Sequence, residues 1–165
     1  MKQVLLLGDS IRMQYQPVVG QKLADIAEVS GPEENGRWSG YTLNSLRFWL
    51  PQLPSPDLYE ETCRRICRIL RKVTGKPDLL LVIATTTPTL HGDHEDIRLY
   101  NDILRKVAKE ENAGINDLYA IVSPAKPELI GEDHIHLNPE GVEKVAEQTA
   151  KVLRAALTEN GKREC

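Results

Sequence analysis

The sequence has few cysteines, no long apolar run and no excess of positive charge. Three cysteines among 165 residues cannot all pair, and Cys63 and Cys67 lie four positions apart in a helical pattern. This spacing is typical of buried thiols in a reducing compartment. The apolar run Val4–Leu7 is too short for the core of a signal peptide, and no segment is long enough to cross a membrane. We therefore expect a cytoplasmic protein with no membrane partner.

Charges of both signs are interleaved along the chain. The 21 Lys and Arg residues against 24 Asp and Glu residues give a net charge of −3 without a basic patch, so nucleic-acid binding is not expected. Apolar residues make up 41% and charged residues 27%, as in an ordinary globular domain. The length predicts one domain over residues 1–157, followed by a frayed tail over 158–165.

Short apolar segments alternate with amphipathic ones. The predicted strands are Gln3–Leu7, Ala27–Ser30, Leu79–Ala84 and Leu118–Ser123. The predicted helices are one after Ser10 that becomes regular only beyond Pro17, one over Asp57–Val73 capped by Asp57, one over about Asp96–Glu111, and one after the N-cap Asn138. This alternation is typical of a parallel sheet with helices on both faces. We predict an α/β fold of flavodoxin-like, three-layer α/β/α type with a short sheet.

Gly8, Asp9 and Ser10 follow the first predicted strand. Reactive groups of open α/β sheets collect at the carboxyl ends of strands. Gly8 allows a tight turn there, and Ser10 lies at the start of a helix, whose amide groups favour negative charge. Ser10 could be a nucleophile whose own backbone N–H helps to hold an oxyanion, a helix N-cap, or part of a phosphate-binding turn.

A second polar segment, Asp133 to His136, precedes the last helix. A serine hydroxyl is a poor nucleophile unless a base removes its proton, and an imidazole does this well when an acceptor holds its other nitrogen. Asp133 lies three residues before His136, so its carboxylate can turn back onto the imidazole. The loop also returns the chain to the sheet edge where Ser10 lies. A solvated acidic loop with unrelated histidines is the alternative.

Taken together, these segments resemble the SGNH (GDSL-like) hydrolase family over nearly the whole chain. The resemblance rests on Val4–Ser10, Ala84–Pro88, Ile115–Tyr119 and Asp133–Gly141. It implies an esterase that cleaves small acyl esters without a cofactor or a metal. It further implies Ser10 as nucleophile, His136 as general base and then acid, and Asp133 as the group that orients the imidazole, with no catalytic part for His134.

Two blocks of the family bear on the oxyanion hole. The second block supplies a glycine N–H, for which Gly40 is the first choice and Gly36 the second, while Asn35 could add an amide. The third block, a strand that ends in an Asn-containing turn, is not found. The segment Pro51–Pro56 contains three prolines in six residues, which cannot form a central strand.

We therefore predict that the third strand and its oxyanion asparagine are lost together. The Leu79–Ala84 strand would then lie beside the Gln3–Leu7 strand, which gives four strands in the order 2-1-3-4 with a right-handed crossover.

Two alternatives stay open. A zinc hydrolase could use the acidic and histidine residues of one loop, although that loop is a turn and not a rigid element. These residues are His91, Asp93, His94, Glu95 and Asp96, with Asp133, His134 and His136 elsewhere. The second alternative is a non-catalytic binding module on the same fold, supported by the missing asparagine.

Overall fold

The computed structural model describes residues 1–33, 55–91 and 94–161, without the side chains of 159–161. The strands are β1 (Lys2–Leu5), β2 (Ala27–Ser30), β3 (Val82–Ala84) and β4 (Gly114–Asn116). The α-helices are α1 (Ser10–Leu23), α2 (Pro56–Thr74), α3 (Glu95–Glu110), α4 (Leu118–Val122), α5 (Lys126–Leu129) and α6 (Pro139–Gly161), with a 3-10 turn at Ser123–Ala125. No helix within these ranges is both long enough and apolar enough to span a membrane.

The strands form two parallel pairs. β1 pairs with β2, so that Leu5 lies opposite Ser30, and β3 pairs with β4, so that Ala84 lies opposite Asn116. The backbone ladder continues one residue past β3, because the Thr85 N–H donates to the Asn116 carbonyl at 3.0 Å. Both pairs therefore present the carboxyl ends of their strands to the loops that follow.

The two faces of β3 contact different clusters of apolar side chains. Val82 packs against a cluster formed mainly with α1, α4 and α6, whereas Leu81 and Ile83 pack against a cluster formed with α2 and α3. Successive side chains of a strand point to opposite faces, so helices cover β3 on both sides. This is the predicted three-layer α/β/α arrangement.

The predicted pairing between the first and third strands is wrong. Within the described ranges β1 pairs only with β2 and β3 only with β4, so the order 2-1-3-4 does not form one continuous sheet. Val4 is buried on one face of β1, but Leu5 on the other face is 61% exposed. Among the described residues, α2 and α3 pack against Leu81 and Ile83 and not against Leu5, so little apolar burial on that side draws the two strands together. Of the Pro51–Pro56 segment, residues 51–54 lie outside the described residues, while Ser55 and Pro56 form the start of the next helix.

The fourth predicted strand is also wrong. Residues 118–122 form α4, and the strand lies just before them at Gly114–Asn116. The Asp117 carboxylate accepts from the Ala120 N–H at 3.2 Å and caps the helix, whose Leu118 and Val122 are buried one turn apart. A short apolar run does not by itself distinguish a strand from a buried helical turn.

The helix ends differ from prediction for identifiable reasons. α2 is capped by Ser55, whose Oγ accepts from the Leu58 N–H at 3.3 Å, with Pro56 as first residue; Asp57 lies inside the first turn. Proline at this position loses no hydrogen bond, and its φ is already helical. α1 is helical from Ser10, with Pro17 inside it on an exposed side.

Two predicted features at the chain's other end differ in outcome. The N-cap Asn138 is confirmed, since its Oδ1 accepts from the Gly141 N–H at 2.9 Å. α6 continues to Gly161, residues 162–165 lie outside the described residues, and the frayed tail over 158–165 stays a prediction.

The contact between α2 and α3 buries Cys67 and partly buries Cys63. Tyr59 meets Tyr100 edge to face with 4.8 Å between ring centroids, and Cys67 is 4% exposed beside them. Cys63 and Cys67 are free thiols, and burial raises the pKa of Cys63 to about 11. At that pKa the thiol is protonated at neutral pH and behaves as a small apolar side chain.

Candidate active site

The start of α1 separates the roles of two adjacent residues. Asp9 is the N-cap, since its Oδ1 accepts from the Ile11 N–H at 3.0 Å, while Ser10 is the first helical residue. The N-cap role considered for Ser10 therefore falls to Asp9. A Cβ on Gly8 would lie 2.8 Å from the Arg12 Cβ, so glycine permits the close approach of strand end and helix.

The loop that carries Asp133 and His136 is tightly closed on itself. The Gly131 N–H donates to the His136 carbonyl at 2.7 Å, and the His134 N–H donates to the Gly131 carbonyl at 3.0 Å. Ile130 and Leu137 form an antiparallel bridge at the base of the loop, and both are buried. These contacts hold the two ends of the loop together at its base.

The structure brings Ser10, Asp133 and His136 together. The Ser10 Oγ lies 2.9 Å from the His136 Nε2, and the His136 Nδ1 lies 2.5 Å from the Asp133 Oδ2. The three side chains form a continuous hydrogen-bonded series although Ser10 and His136 are 126 positions apart. When Nδ1 carries the proton, it donates to the carboxylate and leaves Nε2 to accept from the serine hydroxyl.

The second carboxylate oxygen of Asp133 is also bound. Its Oδ1 accepts from the Ile135 N–H at 3.0 Å and from the His136 N–H at 2.9 Å. The Ile135 N–H, then the His136 side chain and then its N–H together lower the pKa of Asp133 to about 2. The carboxylate is therefore charged at neutral pH and held on both oxygens, although 51% of its side chain is exposed.

The other sequence-predicted site residues lie apart from this group or outside the described residues. Gly40, Gly36, Asn35 and Asp93 fall outside the described ranges. His91 is exposed with its ring centroid 4.8 Å from that of His134, and His94 is 8% exposed at the start of α3. Glu95 and Asp96 occupy the first turn of α3. In the part of the chain that the structure describes, no three His, Cys, Asp or Glu side chains are grouped to hold a metal.

A Gly-x-Asn-Asp sequence does occur, at Gly114–Asp117, but the structure uses it elsewhere. The Asn116 Nδ2 donates to the Thr149 Oγ1 of α6 at 2.9 Å in the protein interior. The Asp117 carboxylate binds the Thr85 hydroxyl at 2.9 Å and the guanidinium of Arg105. These contacts join the ends of β3 and β4 to α3 and α6.

Comparisons by sequence find no matching family model and no matching curated protein. Comparisons by structure find similar solved structures. An acetyl xylan esterase, AlAXEase, is 19% identical with a TM-score of 0.65, covering 89% of this chain and 97% of that one. A protein from Slackia heliotrinireducens assigned as an SGNH hydrolase is 18% identical with a TM-score of 0.65, covering 92% and 98%.

A third similar structure is a catalytic mutant of an acetylxylan esterase from Geobacillus stearothermophilus. It is 17% identical with a TM-score of 0.69, covering 92% of this chain and 93% of that one. The similarity thus extends over nearly the full length of each compared chain. This chain therefore has the α/β/α fold of the SGNH hydrolases.

Proposed function

We propose that this protein is a serine hydrolase that cleaves small acyl esters through Ser10, His136 and Asp133. The observation that carries the proposal is the hydrogen-bonded series from the Ser10 Oγ through the imidazole to the Asp133 carboxylate. Nucleophile, base and orienting acid are then in contact at the end of a strand, as acyl transfer requires. The acetylxylan esterases of the same fold favour acetylated carbohydrates as the first substrates to test.

The proposed reaction proceeds in two steps. The Ser10 Oγ attacks the ester carbonyl while the His136 Nε2 accepts its proton, and the imidazolium returns that proton to the leaving alcohol as the C–O bond breaks. Water then attacks the acyl-serine with the same imidazole as base, which releases the acid and restores the hydroxyl. Asp133 keeps its negative charge throughout, holds the proton on Nδ1 and stabilises the imidazolium.

The oxyanion would be held by few donors. The first N–H groups of a helix have no acceptor within the helix, so the Ser10 N–H can donate to the developing charge. Gly40 is proposed as the second donor, with the Asn35 amide as a third. The hydrogen bonds of Asn101, Asn116 and Asn138 are made with other parts of the chain.

A reduced oxyanion hole predicts slow turnover with normal substrate binding. On 4-nitrophenyl acetate, kcat should be about 100- to 1,000-fold below that of AlAXEase, since losing one oxyanion donor costs about that factor. KM should be similar for the two enzymes, because the missing interaction is made only in the transition state. Steady-state kinetics of both enzymes under one set of conditions measure the difference. Equal kcat values would show that the oxyanion hole is complete, and no saturable hydrolysis would favour the non-catalytic binding module.

The triad supplies its own base, so the proposed reaction needs no metal. Overnight treatment with EDTA followed by gel filtration should leave the rate of 4-nitrophenyl acetate hydrolysis unchanged. A zinc enzyme would lose activity and regain it when zinc is added back. Such a result would assign the activity to the histidine and acidic residues around His91 and His94 instead of Ser10.

A further inference from the structure

Asn101 is a fully buried polar side chain on the inner side of α3. Its Oδ1 accepts from the Thr86 N–H at 2.8 Å, and its Nδ2 donates to the Thr86 carbonyl at 3.0 Å. The amide thus satisfies both backbone groups of Thr86, just after the ladder of β3 ends at Thr85. An apolar side chain at this position would take away the partners of the Thr86 N–H and carbonyl, which are part-buried, and such a loss is costly.

The segment that Asn101 holds leads directly to the catalytic loop. Residues 86–91 run from Thr86 through Pro88, which is fully buried, to Leu90. The Leu90 N–H donates to the His134 carbonyl at 2.9 Å, and the His91 ring lies against the His134 ring. The 86–91 segment therefore contacts the loop at His134, one of the two residues between Asp133 and His136.

We propose that Asn101 is a positioning residue for His136, acting through the 86–91 segment; the inference rests on the proposed role of the triad. The side chains of Asp133 and His136 are 51% and 40% exposed, so burial alone does not fix them. Asn101 holds Thr86, Leu90 holds His134, and the loop backbone then keeps the imidazole within reach of Ser10. A displacement of about 1 Å at reacting groups can cost about 100-fold in rate.

The test compares two buried asparagines. Asn101→Ala removes the contact with Thr86, and Asn116→Ala is the matched control, because its side chain binds Thr149 on α6 and not the 86–91 segment. Asn101→Ala should lower kcat by about 10- to 100-fold, with KM changed by less than about twofold. The NMR signal of the His136 ring proton shared with Asp133 should broaden or shift in the same variant. Asn116→Ala should change neither kcat nor the ring-proton signal, although its melting temperature should fall.

A measurement on the unmodified protein keeps the proposal testable if Asn101→Ala does not fold. Native-state hydrogen exchange should give the same opening free energy for the amides of Thr86, Leu90 and His136, since the proposal makes them one cooperative unit. The proposal is overturned if the His136 amide opens independently of Thr86. It is also overturned if Asn101→Ala folds and keeps its kcat and ring-proton signal, or if both variants lose kcat in parallel with stability.

Failure of the proposed function gives a different pattern. If the protein does not hydrolyse esters, kcat is zero for every variant, but the ring-proton signal of His136 and the exchange of Thr86, Leu90 and His136 can still be measured. A ring signal lost in Asn101→Ala and kept in Asn116→Ala would support the positioning role without an esterase. If neither variant loses the His136 ring signal, the positioning role of Asn101 is overturned as well.

Discussion

Replacing Ser10 with alanine should abolish labelling by a fluorophosphonate probe and lower kcat for 4-nitrophenyl acetate by at least about 10³-fold. The probe forms a covalent bond with a serine Oγ that has been activated by a base. Ser10 is the residue whose Oγ lies 2.9 Å from the His136 Nε2. Removing this oxygen leaves no atom to form the acyl-enzyme, while binding of the ester is largely retained.

Ser30→Ala provides a matched control for that experiment. Ser30 also lies at the carboxyl end of a strand, but its Oγ donates weakly to the Val4 carbonyl at 3.4 Å, and no hydrogen bond joins it to an imidazole within the described ranges. This variant should be labelled and should turn over like the unmodified protein. Labelling that persists in Ser10→Ala would remove Ser10 from the mechanism.

Asp133→Asn is expected to lower kcat by about 10²- to 10⁴-fold with little change in the fold. The amide oxygen can take the place of Oδ1 and still accept from the Ile135 and His136 N–H groups. The amide nitrogen must then face Nδ1 and donate to it, so the imidazole proton moves to Nε2. An Nε2–H directed at Ser10 can no longer accept the serine proton.

Asp102→Asn is the control for this substitution. Asp102 forms an ion pair with Arg105 on the surface of α3, and its side chain is 73% exposed. Exposed ion pairs contribute little to stability, so this variant should keep both its melting temperature and its kcat. Unchanged kcat in Asp133→Asn would exclude Asp133 as the orienting group.

The charge of Asp133 also limits how kcat can depend on pH. The pKa of Asp133 in the folded protein is lowered from 3.8 to about 2. Because the pKa of Asp133 is lower in the folded state than in the unfolded state, its ionised carboxylate stabilises the folded protein. This contribution is present above pH 3.8 and is lost as the pH falls towards 2. Asp133 is therefore ionised above about pH 4, so a fall in kcat measured between pH 4 and 8 would come from another group.

Much of the candidate site could be predicted from local patterns. A glycine turn after an apolar strand indicated Ser10, and the three-residue spacing of Asp133 and His136 in one loop indicated that their side chains meet. The structure brings all three together at hydrogen-bonding distance, while their catalytic roles stay a prediction. The oxyanion donor Gly40 also stays a prediction, outside the described residues.

The errors arose where a local pattern fits more than one structure. The apolar residues of 118–122 suit a strand or a helical turn, and the Asp117 cap together with the burial of Leu118 and Val122 decides for a helix. Asn101 was not identified as a site residue because its polar side chain lies beside the apolar stripe of α3. Its partner Thr86 is 15 positions away, and no periodic pattern reports such a contact.

The sequence by itself determined the alternation of strands and helices, the nucleophile candidate and the Asp133–His136 loop, because each depends on neighbouring residues or on the period of a helix or strand. Only the tertiary structure decided that β1 and β3 remain in separate pairs, since this depends on which faces α2 and α3 bury. It alone also decided that Asn101 of α3 binds Thr86, at the start of the segment that leads to the loop with Asp133 and His136. Both outcomes depend on packing between distant parts of the chain, where geometry and burial determine which groups meet.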